Sequence, residues 1–179
     1  MVITVPETIT ITAAQPGIFS INQQGTGQGA VLDARTPPRL VDGAAPARVG
    51  DVVQVFCTGL GASQPRVRSG DAAPAEPLAR VVTPVEARIG GRPATVHFAG
   101  LAPGFVGLYQ VNVQIPEGVE PGPAVPLVIL QNGAEQHRHH CGAVSHFKTS
   151  NDLAQVQPWR LSASSRRSSD PSDAPTPQR

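Results

Sequence analysis

The chain has 179 residues, enough for one domain with a hydrophobic core plus a tail. Lys and Arg number 14 against 13 Asp and Glu, and a formal net charge of +1 gives no electrostatic footprint for nucleic acid or acidic lipid. Charged residues are only 15% while Gly (18) and Pro (19) are abundant, a composition that breaks helices and supplies turns, so the class is all-β or disordered.

In chain order, Met1 to Glu7 lacks the basic start and long apolar stretch of a signal peptide. Thr8 to Thr12 alternates strictly, as a half-buried strand does. Ile18 to Ile21 and Ala30 to Leu32 are short apolar runs separated by a Gly-rich turn at 23–29. A Pro-rich connection from Arg35 ends in the turn Gly50-Asp51. Asp51 to Thr58 is apolar on both faces, which predicts a central, covered strand ended by Gly59-Leu60-Gly61. A long loop from Ser63 to Ala79 follows. Val85 to Ile89 and Ala94 to Phe98 each alternate, and Gly90-Gly91 between them predicts a hairpin with a primed turn, with Pro93 at the start of its strand. Leu108 to Ile115 puts Val111, Val113 and Ile115 on one face and Gln110, Asn112 and Gln114 on the other. Val125 to Leu130 is the last apolar strand, and Gln131-Asn132-Gly133 starts a hairpin turn. About seven short strands with Gly/Pro turns predict an antiparallel β-sandwich. The inward rows are Val53, Val55, Val85, Ala87, Ile89, Val96, Phe98, Val111, Val113, Ile115 and Leu127. No stretch approaches the roughly 20 apolar residues of a membrane-spanning helix. Asn151 to Arg179 is too poor in apolar residues to fold and reads as a disordered tail.

Several spaced blocks within residues 13 to 133 resemble a known family. They are Ala14 to Phe19, Gly27 to Ala30, Gly50-Asp51 with Thr58 to Gly61, Val85 to Ala94, and Gln110 to Pro116 with Pro121 to Pro126. The chain resembles the C-terminal domains of large secreted proteins from Solibacter-type acidobacteria. The resemblance implies an immunoglobulin-like sandwich of the IPT/TIG kind and an extracellular or cell-surface context. It implies no catalytic residue, because the family has no established activity. Asp42 stands where an Asn is usual in that family, and reads as a loop change. Met1 to Thr12 resembles the closing strand of a preceding repeat, which implies a longer protein with further β repeats upstream; the alternative is that Thr8 to Thr12 serves as an edge strand of this domain.

Relatives close the domain with a strand such as Ser-Asn-Thr-Val-Thr-Ile-Ala-Val, whereas this chain has Gln136-His137-Arg138-His139-His140-Cys141-Gly142-Ala143. The codons AGC AAC ACC GTC ACC ATT GCG GTG CA encode the family strand. Read from their third base they give CAA CAC CGT CAC CAT TGC GGT GCA, which is the observed run. The expectation is that translation leaves the family frame near Ala134 to Gln136, making 134–179 an out-of-frame, disordered tail.

His137, His139, His140, Cys141 and His146 carry zinc-binding groups, but their spacing fits no standard structural site and the frame reading accounts for the cluster. Cys57 lies in an apolar strand and reads as a buried small hydrophobe, not as a disulfide partner of Cys141. Gly25 to Gly29 lacks the strand–helix context of a dinucleotide loop and reads as a turn. Ser63, Asp71 and His97 contain the residue types of a hydrolytic triad but no nucleophile elbow, and His97 reads as solvent-facing. The carboxylates Asp51, Asp71, Glu76 and Glu86 lack calcium-loop spacing. Tyr109 opens its strand and is placed either for a tyrosine-corner-like bond or as a core or rim aromatic. Arg166-Arg167 is too short for a nucleic-acid arm.

No catalytic, cofactor-binding or metal residue is assigned. The expected function is a non-enzymatic structural or adhesion module with no cofactor, nucleic-acid partner or membrane span. Its expected partners are neighbouring Ig-like domains of a longer chain, a cell-surface protein or a polysaccharide. The alternative is a carbohydrate-binding module, disfavoured because aromatics are 4% and most stand at core-like positions.

Overall fold

The computed structural model describes residues 12–132, 134–135, 139–140 and 144–145. Those residues form β1 (Gly17–Ile18), β2 (Gly27–Gln28), β3 (Val31–Asp33), β4 (Ala47–Arg48), β5 (Val52–Thr58), β6 (Ser63–Gln64), β7 (Arg80–Val81) and β8 (Glu86–Ile89). They continue with β9 (Arg92–Ala94), β10 (Val96–Leu101), β11 (Tyr109–Gln114), β12 (Pro126–Gln131), β13 (Ala134–Glu135), β14 (His139–His140) and β15 (Val144–Ser145). There is no helix among the described residues, hence none long and apolar enough to cross a membrane. The expected strand at Thr8 to Thr12 lies, but for Thr12, outside the described residues.

One sheet runs β1-β5-β11-β10-β7-β6, with β3 also on β5. The second runs β2-β14-β12-β8-β9, with β13 also on β12, and β15 pairs separately with β4. The long ladders are antiparallel, and only the two-residue pairs β14–β2 and β15–β4 run parallel. Val53, Val55, Val111 and Val113 from the first sheet share one buried cluster with Ala87, Ile89, Leu127 and Ile129 from the second. Two antiparallel sheets closed over one aliphatic core make a β-sandwich.

The hairpin over Gly90-Gly91 forms as its sequence predicts. Ile89 pairs with Arg92, and both glycines have positive φ (59° and 77°), the backbone of a primed turn. Gly59 ends β5 with φ 75°, and a Cβ there would stand 2.0 Å from the Gln15 carbonyl oxygen. The strand entry at 13–16 is thus laid directly against this turn, a packing that only glycine permits.

Three features depart from strict alternation. First, residues 94–98 do not form one strand. β9 belongs to the second sheet and β10 to the first, and the chain crosses at Thr95, whose carbonyl accepts the Gln114 N–H at 2.9 Å. Second, the ladder slips by one residue: Val96 pairs with Val113 but Phe98 with Asn112, leaving His97 as an extra residue, a β-bulge. The slip leaves Val96 and Ala99 packed on the core but turns Phe98 to the opposite face, so Phe98 belongs to neither hydrophobic cluster. Phe98 is buried as expected, at 3% exposure, but on the face of the sheet opposite the main core; the other expected inward residues belong to the core cluster or pack against it. Third, β5 is central, but only Val53, Val55 and Cys57 are fully buried; Val52, Gln54 and Phe56 on its other face are half-buried.

The Pro-rich connection also contributes Val41 and Ala47 to the core, which its sequence does not announce. Strand pairing continues past residue 133: Leu130 pairs with Glu135, and Leu127 with His139. At these positions the backbone is strand, not the unstructured chain expected from 134 onward. Residues 146–179 lie outside the described residues.

Candidate functional site

The outward face of the first sheet carries several polar side chains held in place by strands. Since Val53, Val55, Val111 and Val113 point into the core, period-two alternation puts Gln54 and Phe56 of β5 and Gln110, Asn112 and Gln114 of β11 outward. Gln54 stands opposite Asn112, Phe56 opposite Gln110, and Asn112 in turn opposite Phe98. Asn112 is buried, and its Oδ1 accepts the Gln110 Nε2 hydrogen bond at 2.8 Å. Gln114 donates to the Gly50 carbonyl at 3.1 Å and its Oε1 lies 3.3 Å from His97 Nε2. Phe98 is covered by the Arg80 guanidinium, 5.1 Å from the ring centre, a cation–π contact. Gly100 makes room for the ring, since a Cβ there would come within 2.7 Å of it. At the β1 edge Ile18 faces the core, so Phe19 turns outward; its N–H donates to the Phe56 carbonyl and its side chain is 46% exposed.

The end of the sandwich where β5 and β12 finish is held by side chains bonding to backbone. The Tyr109 hydroxyl donates to the Gly61 carbonyl. This is the tyrosine-corner-like bond in kind, though it reaches back to the loop after β5 instead of a few residues upstream. Burial, and then Cys57 beside it, raise the Tyr109 pKa above its ordinary 10.0. Gln131, nearly inaccessible, donates from Nε2 to the Leu60 carbonyl at 3.2 Å and the Thr83 carbonyl at 3.0 Å. Its Oε1 is buried with no hydrogen-bond partner among the described residues. Cys57 is free and buried, which pushes its thiol pKa from 9.0 up to about 12, so it holds no reactive thiolate near neutrality.

The other residues considered from sequence do not converge. Ser63 Oγ donates to the Pro65 carbonyl, His97 meets Gln114, and the Asp71 N–H closes a turn on Arg68; no hydrogen bond joins Ser63, His97 and Asp71 among the described residues. Asp51 accepts the Arg48 N–H and lies 3.7 Å from the Arg35 guanidinium, which also meets Asp33 at 3.5 Å. Among the described residues no three His, Cys, Asp or Glu side chains are grouped to hold a metal. His137, Cys141 and His146 lie outside the described residues, as do the His139 and His140 side chains. Gly27 and Gln28 form a strand, and the 20–29 segment is a hairpin closed by the Ser20–Gly29 bridge.

An open depression of about 370 Å3 lies over Pro65 to Pro74 and another of about 360 Å3 over β8 and β9. Neither brings together groups suited to a reaction. The aromatic distribution was the feature sequence reasoning misplaced. Phe19 and Phe105 are exposed, Phe56 is half-buried and Phe98 is buried, and among the described residues no phenylalanine enters either hydrophobic cluster. The bulge that turns Phe98 to the outward face carries no signal in an alternating run. Comparison with protein-family models, with curated proteins and with solved structures finds no match.

Proposed function

We propose that the chain is a non-catalytic, immunoglobulin-like module of the IPT/TIG kind, serving as a structural or adhesion unit of an extracellular or cell-surface bacterial protein. The observation that carries this reading is how its polar side chains are used. Tyr109 and Gln131 bond loops to strands, Asp33 and Asp42 accept backbone N–H groups within loops, and Asp51 holds the turn into β5. These are framework roles, as a spacer or scaffold requires. The block resemblance to C-terminal domains of secreted Solibacter-type proteins supports the same context. The purified chain is expected to show a protease-resistant body spanning residues 13–132 and no turnover of ester, peptide or glycoside substrates. Turnover that disappears on substituting Ser63, Asp71 or His97 would overturn the reading.

A second reading, a carbohydrate-binding module, is favoured by one specific observation. The low aromatic content counts against sugar binding only if the aromatics are core residues, and here Phe19 and Phe105 are about half exposed at 46% and 57%.

A further inference from the structure

We propose that the chain's own leading segment, residues 8–12, lies across the entry end of the sandwich and docks Ile9 and Ile11 onto the exposed patch of Ala62, Val82 and Pro84. The chain then joins the domain as a fixed strand and not as a loose tether. Such docking adds a stiff joint to the structural-module reading, and that reading stands without it.

The direction of the entering chain is set by backbone contacts. The Gln15 N–H donates to the Gly59 carbonyl at 2.8 Å, and a Cβ on Gly59 would stand 2.0 Å from the Gln15 carbonyl oxygen. Two residues on, a Cβ on Gly61 would stand 2.6 Å from the Ala13 carbonyl oxygen. Pro16 back to Ala13 thus runs alongside Gly59 to Gly61 in the opposite sense, an approach that glycine at both positions permits. Continued by one residue, this track brings Thr12 to Ala62, whose carbonyl accepts the Val82 N–H at 2.9 Å.

The place it reaches is apolar and open. Val82, at 64%, is the most exposed large apolar side chain among the described residues, and Ala62 and Pro84 are exposed with it. Between Val82 and Pro84 the Thr83 carbonyl is held by the buried Gln131 at 3.0 Å, so the segment is anchored from inside with its apolar side chains left outward. Covering such side chains removes apolar surface from water.

The occupant fits in pattern, reach and charge. Thr8 to Thr12 alternates strictly, so an extended backbone puts Ile9 and Ile11 on one face and the threonines on the other. That is a segment with one face to cover. At roughly 3.3 Å per residue, Ile11 and Ile9 stand about 3 and 10 Å before Thr12, within reach of a patch beside Ala62. Residues 8–12 carry no charged side chain, so laying them on apolar surface desolvates no ion. Covalent attachment next to the patch gives the segment a high effective concentration there, which a separate partner lacks.

The test uses the full chain with Cys141→Ser, in which Cys57 is buried and does not compete for reagent. Val82→Cys is added, and its reaction with a thiol reagent is timed with and without the pair Ile9→Ser and Ile11→Ser. The expected result is that the unaltered segment slows labelling of Val82→Cys about tenfold, the protection of a contact that is mostly closed. Ile21→Cys, at a site 49% exposed next to the 23–29 turn, should label at one rate in both backgrounds. Equal rates for Val82→Cys would overturn the docking and leave the structural-module reading untouched. Faster labelling at both sites on Ile9→Ser and Ile11→Ser would mean that the substitutions loosen the whole domain, and methyl NMR of the wild-type chain then decides. Cross-peaks between the Ile9 or Ile11 methyls and those of Val82 support the proposal. Backbone order parameters below about 0.6 over residues 8–11, or cross-peaks from Ile9 and Ile11 only to other surfaces, overturn it.

Discussion

At the scale of single residues, buried polar groups carry more consequence than any one apolar contact. Gln131 satisfies two carbonyls from different loops, so Gln131→Met strands both and should cost about 1–3 kcal/mol. Gln131→Glu should cost more at neutral pH, because a carboxylate cannot donate and would face two carbonyl oxygens in the interior. Denaturant midpoints check this, and a Glu variant as stable as wild type would exclude the bonds. Cys57 gives a pH prediction. Its folded pKa, about 12, lies above the ordinary 9.0 because burial disfavours the thiolate. The unfolded chain therefore loses its proton first as pH rises. Stability is full below pH 9.0 and declines between 9.0 and about 12, by roughly 1.4 kcal/mol per pH unit for such a group. Tyr109, also raised, adds a slope of the same sign above 10.0. Midpoints measured across this range should fall more steeply in wild type than in Cys57→Ala; equal slopes would show that the thiol is not protected.

At the scale of elements, β10 shows how one residue redirects a strand. With His97 as an extra residue, Val96 already stands opposite Val113 and Phe98 opposite Asn112. Deleting His97 would join two segments that are each in the right register, at the cost of its contact with Gln114. Deleting Ala99 would move its neighbours to the wrong faces, since side chains alternate with period two. The His97 deletion should fold with a modest loss of melting temperature, and the Ala99 deletion should not fold. Equal damage from both would argue against the bulge. The alternation in Ala94 to Phe98 was legible in the sequence, but a bulge preserves the alternating residue types while changing which face they meet. The hairpin at Gly90-Gly91 was fully legible because positive φ at two successive residues is a local demand that glycine announces.

At the scale of the molecule, the closing edge of the second sheet decides how complete the sandwich is. The place beside β12 is taken by β13 and β14, and the pairing slips by one residue between Glu135 and His139. Replacing residues 136–143 with Ser-Asn-Thr-Val-Thr-Ile-Ala-Val puts a β-branched valine at position 139, in register with Leu127, and should raise the denaturant midpoint. No gain would mean that the existing segment closes the edge as well as the family strand. The all-β class, the hairpin and most of the core rows were determined by the sequence itself. Each rests on short-range rules: Gly and Pro punctuate strands, and alternating apolar residues select one face. Only the tertiary structure decided that residues 94 and 96 belong to different sheets, that Val41 and Ala47 enter the core, and that Phe98 is buried on the sheet face opposite the main cluster. Those outcomes depend on contacts between segments distant in sequence, which no local pattern of residue types encodes.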